Sequence, residues 1–370
     1  MKNTLLLVLF FCGTLLSASH ANTSEGSLTD GFITGNPAIK SMNALAFGPE
    51  GILFVGDAQA ASVIAIQTKD ITSAGLKEGI NMKKVDEKIA ALLGAKVAEI
   101  QIVDMAVNPI SQYVYLAVRH SNGTAMLLKT DGEKLEHVSM EKVSYSKAAL
   151  SNPVAEDAKD RRGRSMRVWA ISDIAYHDGK VMVSGLSNEE FSSTFRSIAF
   201  PFKDKQVHAS LEIYHAAHGR YETTSPIKTF MPFDLNGSPH IVASYTCTPL
   251  VLFSMNDIKA GEHTKGRTVA ELGNRNTPLD ILHMQLGDES YFLMNNTSRP
   301  VMKIAVSDVA AYKDYLTEPV KGNSETAGVE YTSLPYVNVL QMDKFGDQVL
   351  MLQRKADGDL ALFTTKKNRL

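Results

Sequence analysis

Two histidines and one cysteine carry the most specific chemical signal in this sequence. His215 and His218 are the only two of the ten histidines that lie three positions apart. Cys247 is the only cysteine beyond residue 21, so it has no partner for an internal disulfide in that part of the chain. Two imidazoles and one thiolate form a ligand set that suits copper or zinc. The three residues therefore predict a metal site, with copper favoured, provided that the fold brings them within about 4–5 Å of one another.

Three residues near this set are predicted to be catalytic. Tyr221 and Glu222 follow the histidines, and Tyr245 precedes Cys247 by two positions. Each could supply a fourth ligand or a hydrogen bond to a ligating side chain. We expect either tyrosine to tune the metal or share its electron, and Glu222 to orient a substrate. The alternative is structural: the cysteine is a small buried residue and the histidines cap a loop.

Four further residues are predicted to bind the substrate. Arg119 and Arg354 each follow a β-type run and could orient an anionic group. Asn188 and Glu189 lie in the stretch GLSNEEF, whose first two residues end the apolar run VMVSGL. This stretch could face a ligand, but it is equally consistent with an exposed turn.

Recurring aspartates suggest a second place for a metal. Asp104, Asp173 and Asp280 occupy similar positions in three β-type runs. Carboxylates that converge on an axis could bind calcium, which takes six to eight oxygen ligands. The alternative is that each carboxylate binds backbone groups of a neighbouring structural unit.

The elements that must position these residues form six related units. Each unit contains short apolar β runs separated by turns rich in Gly, Asn, Asp and Pro, which is typical of strands and tight turns. We predict an all-β fold, a six-bladed β-propeller with four-stranded antiparallel blades. Two stacked β-sandwiches are the alternative. In such rings the N-terminal segment, here Asn22 to Ile39, commonly completes the last blade. The units begin at Met42, Ile102, Ile171, Lys228, Leu279 and Val337.

Two segments interrupt the repeats. The segment from Val85 to Leu93 has apolar residues at helical spacing with charges between them, which predicts a short surface helix. The segment from Val143 to Arg167 is polar and basic, and we predict one long inserted loop between units two and three.

The opening unit resembles a known class of propeller. Its sequence GPEGILFVGDAQAASVIAI combines a G-P-x-G turn, an apolar strand, G-D and another strand, which is similar to repeats of NHL-type and SMP-30-like β-propellers. The resemblance implies a fold and not an activity. Because SMP-30-like lactonases use a metal near the channel, it also implies calcium as an alternative cofactor. The full ligand set of those lactonases has no counterpart here.

The N-terminus predicts an exported protein. A basic start, the apolar run from Leu5 to Leu16 and the small residues of Ser19-His20-Ala21 are typical of a signal peptide. We predict that residues 1–21 are removed and that residues 22–370 form a single domain, periplasmic or secreted. No second long apolar stretch follows, so we expect no membrane span.

Composition and missing motifs limit the function further. The chain has 38 Lys and Arg against 40 Asp and Glu, a net charge of −2, which argues against nucleic acid as a partner. The C-x-x-C-H haem signature, the phosphate-binding loop and the G-x-S-x-G elbow are absent from the sequence. We therefore predict a metal-dependent oxidoreductase that acts on a small molecule, with an unidentified redox partner. The alternatives are a non-catalytic propeller that binds a ligand or protein, and a calcium-dependent lactonase-like hydrolase.

Overall fold

Six β-sheets, antiparallel except for one short parallel pairing in the third, account for most of the structure. The computed structural model describes residues 27–75, 79–203, 205–322 and 324–370. Within these residues the chain forms the six sheets and two short α-helices. The predicted signal peptide lies outside the described residues, and the extent of the domain stays a prediction.

The strands are short and follow one another through tight turns. The first two units contain β1 (Ile33–Gly35), β2 (Ala44–Phe47), β3 (Ile52–Asp57), β4 (Ser62–Gln67), β5 (Asn81–Lys83), β6 (Ile100–Val107), β7 (Val114–His120), β8 (Ala125–Thr130), β9 (Leu135–Val138) and β10 (Val143–Ala149). Units three and four contain β11 (Asp173–His177), β12 (Lys180–Leu186), β13 (Ser193–Ala199), β14 (Gln206–His215), β15 (Arg220–Glu222), β16 (Thr229–Leu235), β17 (Ser238–Ser244), β18 (Pro249–Ser254), β19 (His263–Lys265) and β20 (Arg267–Glu271). Units five and six contain β21 (Pro278–Leu286), β22 (Glu289–Asn296), β23 (Met302–Ala305), β24 (Ala327–Gly328), β25 (Thr332–Ser333), β26 (Val339–Phe345), β27 (Gln348–Arg354) and β28 (Leu360–Thr365). The helices are α1 (Val85–Leu93) and α2 (Val306–Ala311).

Each sheet is one blade of a propeller, which confirms the predicted fold class. The second strand of a blade is apolar on both faces because it is covered by the blades on either side. All six residues of β3 are buried, for example, as are five of the seven in β7. Six separate apolar clusters fill the spaces between neighbouring blades. Two stacked sandwiches would not give a closed series of six interfaces, so that alternative is wrong.

The order of the blades around the ring differs from their order in the chain. The innermost strand of blade one, β2, contacts the innermost strands of both blade two (β6) and blade three (β11). Blade two contacts blade six through β26, and blades three to six follow in sequence. The spatial order is therefore two, one, three, four, five, six, and the chain crosses blade one on its way from blade two to blade three.

This crossing explains two departures from the sequence prediction. The segment from Val143 onward is not a loop at first, because Val143–Ala149 forms β10 and pairs with β4 as the fourth strand of blade one, counted from the axis. Only the part after β10 is a long connection. The N-terminal strand β1 pairs with β10 rather than with blade six. Blade six is completed by β5, which lies between units one and two in the chain.

Helix α1 forms where the sequence predicts it. Its buried residues Val85 and Ile89 face the apolar cluster between blades six and two. Gly94 ends the helix in the left-handed conformation, where a side chain would be strained. Across the residues that the structure describes, neither helix has the length and hydrophobicity needed to cross a bilayer.

Candidate metal centre

The candidate centre is built on a β-hairpin at the outer edge of blade three. Strands β14 and β15 pair so that His215 lies opposite Arg220 and Ile213 lies opposite Glu222. The turn between them is tight: the amide of His218 donates to the carbonyl of His215 at 3.0 Å, and Gly219 has a φ of 62°. The hairpin thus places both histidines and Glu222 on one side of blade three, beside β20 of blade four.

One carboxylate holds both imidazoles. His215 Nδ1 lies 3.0 Å from Glu222 Oε2, and His218 Nδ1 lies 2.7 Å from Glu222 Oε1. Because a carboxylate only accepts, each Nδ1 must carry the proton and donate it. Each neutral imidazole then keeps the lone pair of Nε2, the atom used in metal binding.

Glu222 remains an anion in this position. Burial by itself would raise the pKa of its carboxyl group, but the hydrogen bonds from His215 and His218 outweigh burial and lower the pKa to about 2. Its side chain is only 9% exposed. Both of its oxygens accept hydrogen bonds from the imidazoles, and its predicted role in orienting a substrate stays a prediction.

Cys247 is held in a strained turn between β17 and β18. Cys247 and Thr248 have φ values of 73° and 56°, a left-handed region that is costly for any residue with a side chain and most of all for a β-branched one. The surrounding structure enforces it: Cys247 N–H donates to the carbonyl of Asn276 at 2.7 Å, and the Thr248 hydroxyl donates to the carbonyl of Gly273 at 2.7 Å. Strained non-glycine backbone is concentrated at functional sites.

The three predicted ligand atoms lie together. A ligand atom from each of His215, His218 and Cys247 falls within 4.8 Å of the other two, and Cys247 Sγ is 3.9 Å from His218 Nε2. Tetrahedral ligands at metal distances of 2.0–2.3 Å would be separated by about 3.3–3.8 Å. Small rotamer changes would therefore suffice to close the site. His215 is buried whereas His218 is 41% exposed, so the centre opens to the surface.

A fourth group, Glu271, was missed by sequence reasoning. Its Oε1 lies 3.9 Å from His215 Nε2 and accepts the amide N–H of Ala217 at 3.1 Å. Glu271 Oε2 and His215 Nε2 are both buried and have no hydrogen-bond partner among the described residues. Burial is the main cause that raises the pKa of Glu271. The available signal was a carboxylate that ends the apolar run TVAE of β20.

The two predicted tyrosines lie in different surroundings. Side chains alternate along a strand, so Tyr221 points away from the side used by Glu222 and packs against Tyr214 with ring centroids 5.2 Å apart. Tyr245 is buried in the apolar cluster between blades three and four, and burial raises its pKa above the ordinary value. Its hydroxyl has no partner among the described residues. The catalytic roles of both remain predictions.

The four predicted substrate-binding residues do not join the metal centre. Arg354 lies in blade six, where its guanidinium donates to the carbonyl of Gly358 at 3.1 Å. Asn188 and Glu189 lie in the exposed turn after β12, and Glu189 accepts a hydrogen bond from the side chain of Asn152 at 2.9 Å. Arg119 lies in blade two and donates to Gln101 at 2.5 Å, beside a cavity at the channel mouth.

The recurring aspartates link neighbouring blades. Asp104 accepts the amide N–H of Leu45 in blade one, and Asp280 accepts that of Met342 in blade six. Asp173 accepts the amide N–H of Phe230 in blade four at 2.9 Å. Burial raises the pKa of Asp173 to about 7 and that of Asp280 to about 8. One oxygen of each carboxyl group is thus committed to a backbone amide of the neighbouring blade, which agrees with the structural alternative for these residues.

Comparisons with known proteins add no family name. No family model matches the chain, and no curated protein matches it. Solved structures with similar folds include the PQQ-bound form of an aldose sugar dehydrogenase from Streptomyces coelicolor, with 12% identity, coverage of 90% of this chain and 96% of that one, and a TM-score of 0.36. They also include a putative oxidoreductase (glucose dehydrogenase) from Thermus thermophilus, with 12% identity, coverage of 90% of this chain and 100% of that one, and a TM-score of 0.34. A third is the extracellular domains 1–2 of Drosophila semaphorin 1b, with 10% identity, coverage of 92% of this chain and 85% of that one, and a TM-score of 0.38. At these TM-scores the likenesses carry no argument about function.

Proposed function

We propose that this protein binds one copper ion through His215, His218 and Cys247 and acts as a redox enzyme on a small molecule. The supporting observation is the convergence of three ligand atoms within 4.8 Å, with both imidazoles turned by one carboxylate. A histidine whose Nδ1 proton is fixed by a carboxylate presents Nε2 in one orientation and as a stronger ligand. A purely structural pair of histidines would not require that shared arrangement.

The unused atoms beside the cluster also favour a cation. A buried polar atom without a partner costs free energy, about 1–3 kcal/mol, and is uncommon in folded proteins. His215 Nε2 and Glu271 Oε2 are two such atoms, and both belong to side chains that approach each other at the cluster. A bound metal would satisfy His215 Nε2 and would place a positive charge beside the unused oxygen of Glu271.

The ligand set favours copper over other metals. Two imidazoles and one thiolate are the strong ligands typical of electron-transfer copper sites, whereas structural zinc sites prefer four strong ligands in a closed shell. A bound copper ion would supply one-electron chemistry. The chain's own residues would bind and orient it, and the exposed edge at His218 would let a small molecule or a redox partner approach.

Metal analysis of untagged protein purified without chelator tests the proposal. We expect one copper per chain in the wild type and none in Cys247→Ser, because the thiolate is the strongest ligand for copper. His137→Ala is the matched control, since His137 is an exposed histidine in blade two, and it should keep the full copper content. Stoichiometric copper in Cys247→Ser would contradict the site. Zinc at one per chain would keep the site but overturn the redox role.

Export and ancestry complete the proposal. We infer that the chain is exported to the periplasm or secreted, and that its repeats belong with NHL- and SMP-30-like propellers. The leader sequence supports export, and the G-P-x-G turn and G-D pair of unit one support the relationship. N-terminal sequencing of protein recovered outside the cytoplasm should begin at Asn22. Recovery of intact Met1 from the cytoplasm alone would contradict export.

A further inference from the structure

A cavity of about 440 Å³ lies at the mouth of the central channel. It opens on the face where the innermost strands begin and the second strands end, so blades one to six all contribute near the axis. Several polar side chains line its wall. Those that matter here are Asn43, Gln101, Arg119, Trp169, Lys228 and Gln341.

Lys228 brings a positive charge into this cavity without a counter-ion. Its ammonium nitrogen lies 3.2 Å from the centroid of the Trp169 ring. Among the described residues, no carboxylate forms an ion pair with this ammonium group. Its pKa is lowered to about 8, mainly by burial and further by the nearby positive charge of Arg164. A mostly buried cation that lacks an anion on the protein is a site that an anionic ligand would stabilise.

The aspartates of the same cavity do not serve as that anion. Asp104, Asp173 and Asp280 line the wall, but each has an oxygen occupied by a backbone amide of the next blade. None of the three forms an ion pair with Lys228 in the part of the chain that the structure describes, and burial raises the pKa of each.

Gln341 adds an unused hydrogen-bond acceptor. Its amide nitrogen donates to the carbonyl of Val103 at 3.3 Å, which fixes the orientation of the amide. Its amide oxygen is buried and has no partner among the described residues. A ligand that carries a hydroxyl group could donate to this oxygen.

We propose that the channel-mouth cavity binds a small organic carboxylate that also carries a hydroxyl group. Lys228, assisted by Arg119, binds the carboxylate, and Gln341 accepts from the hydroxyl. Trp169 holds the lysine stem and ammonium in place. The proposal does not depend on the metal centre, because no residue of the cavity belongs to the copper ligand set.

Calorimetric titration of the full-length mature protein tests this, with malate, succinate and inorganic phosphate as probes. Malate and succinate differ by one hydroxyl, so malate should bind at least tenfold more tightly, which corresponds to about 1.4 kcal/mol. Phosphate should bind more weakly than malate. Lys228→Met should weaken malate at least tenfold, and Lys228→Arg should restore binding because it keeps the charge.

Two controls keep the result specific. Lys355→Met removes a lysine that also lies over an aromatic ring, 4.6 Å from the centroid of Phe363, but outside the cavity, and it should leave malate binding unchanged. Cys247→Ser should bind malate like the wild type, so failure of the copper site and failure of this cavity are separate results.

If Lys228→Met does not fold, Gln341→Leu should still remove the preference for malate over succinate. Equal binding of malate and succinate, tighter binding of phosphate, or no malate binding by the wild type would each overturn the proposal.

Discussion

The channel axis and the outer edge of blade three both bury carboxyl groups, but they use them differently. At the axis, Asp173 accepts two backbone amides, those of Phe230 at 2.9 Å and Ile174 at 2.8 Å. At the outer edge, Glu222 accepts two imidazoles, and Glu271 leaves one oxygen without a partner. The axial groups are satisfied by the fold itself. The edge groups are satisfied only in part, and the side chains of Glu271 and His215, which carry the unused atoms, approach within 3.9 Å of each other.

The difference shows how a buried carboxyl group with a structural role can be distinguished in this fold from one that belongs to a functional site. A carboxyl group bound by the main chain of the next blade joins two blades, so its removal should affect stability. A carboxyl group that orients histidines, or that has an unused oxygen beside them, prepares a site that a ligand completes. Burial alone does not distinguish the two, since both groups are largely removed from solvent.

Alanine at one position of each region should give opposite results. Asp173→Ala leaves two backbone N–H groups without acceptors, and we expect the free energy of unfolding to fall by about 3 kcal/mol. Its copper content should not change. Glu271→Ala removes one backbone acceptor, so the metal-free protein should lose only about 1 kcal/mol. Copper affinity should fall about 10- to 100-fold, because a negative group beside a ligating histidine is lost. Urea denaturation of metal-free protein and competitive copper titration measure the two effects.

Matched amides sharpen that test. Asp173→Asn keeps one acceptor oxygen and should be more stable than Asp173→Ala. Glu271→Gln keeps the shape but not the charge, and should still bind copper less tightly than the wild type. If Asp173→Ala lost copper, or if Glu271→Ala were the less stable variant with copper unchanged, the assignment of the two regions would be reversed.

Glu222→Gln probes the orienting carboxylate. Gln can accept from one imidazole but not from two, so one histidine loses the group that fixes its Nδ1 proton. We expect copper affinity to fall about 10- to 100-fold, as for other partners of ligating histidines. The copper content at saturation should stay at one per chain, because no ligand is removed. Unchanged affinity would show that the shared carboxylate does not prepare the site.

The two regions should also respond to pH with opposite sign. The pKa of Asp280 is about 8 in the folded protein, above its unfolded value of about 3.9. The stabilisation that comes from its protonation is therefore complete below about pH 4 and is lost as the pH rises through 8. The pKa of Glu222, about 2, lies below its unfolded value of about 4.3, so its contribution is present above about pH 4 and is lost as the pH falls through 2.

Denaturation of metal-free variants across pH checks these signs. Between pH 5 and 9, the stability of the wild type should fall relative to Asp280→Asn by at least about 1 kcal/mol. The advantage of the wild type over Glu222→Gln should shrink as the pH is lowered from 5 to 3. Parallel curves for Asp280→Asn and the wild type would mean that this carboxyl group is ionised in the folded protein.

How much of the fold could be predicted from the sequence depends on the range of the interactions. Local patterns predicted the six units and helix α1 (Val85–Leu93), because strand runs and helical spacing are short-range signals. They could not predict that Val143–Ala149 completes blade one or that Asn81–Lys83 completes blade six, since short strands acquire their partners only through the order of the ring.

The candidate site divides in the same way. Spacing and residue type singled out His215, His218 and Cys247, which the fold brings together. The role of Glu222 as a shared partner of two imidazoles depends on the register of the β14–β15 hairpin, and the approach of Glu271 depends on the packing of blade four against blade three. Neither relation has a sequence signal of its own.

The smallest effect is expected from the exposed member of the Glu222 network. Arg220 Nε lies 3.3 Å from Glu222 Oε1, but the arginine side chain is 71% exposed, and ion pairs at the surface contribute little because water and salt screen them. Glu222 keeps both imidazole hydrogen bonds without it. Arg220→Ala should therefore change copper affinity less than about threefold, as measured by the same competitive titration. A loss as large as that of Glu222→Gln would mean that the guanidinium, and not the histidine pair, fixes the carboxylate, and the contrast between the axis and the edge would then depend on surface charge.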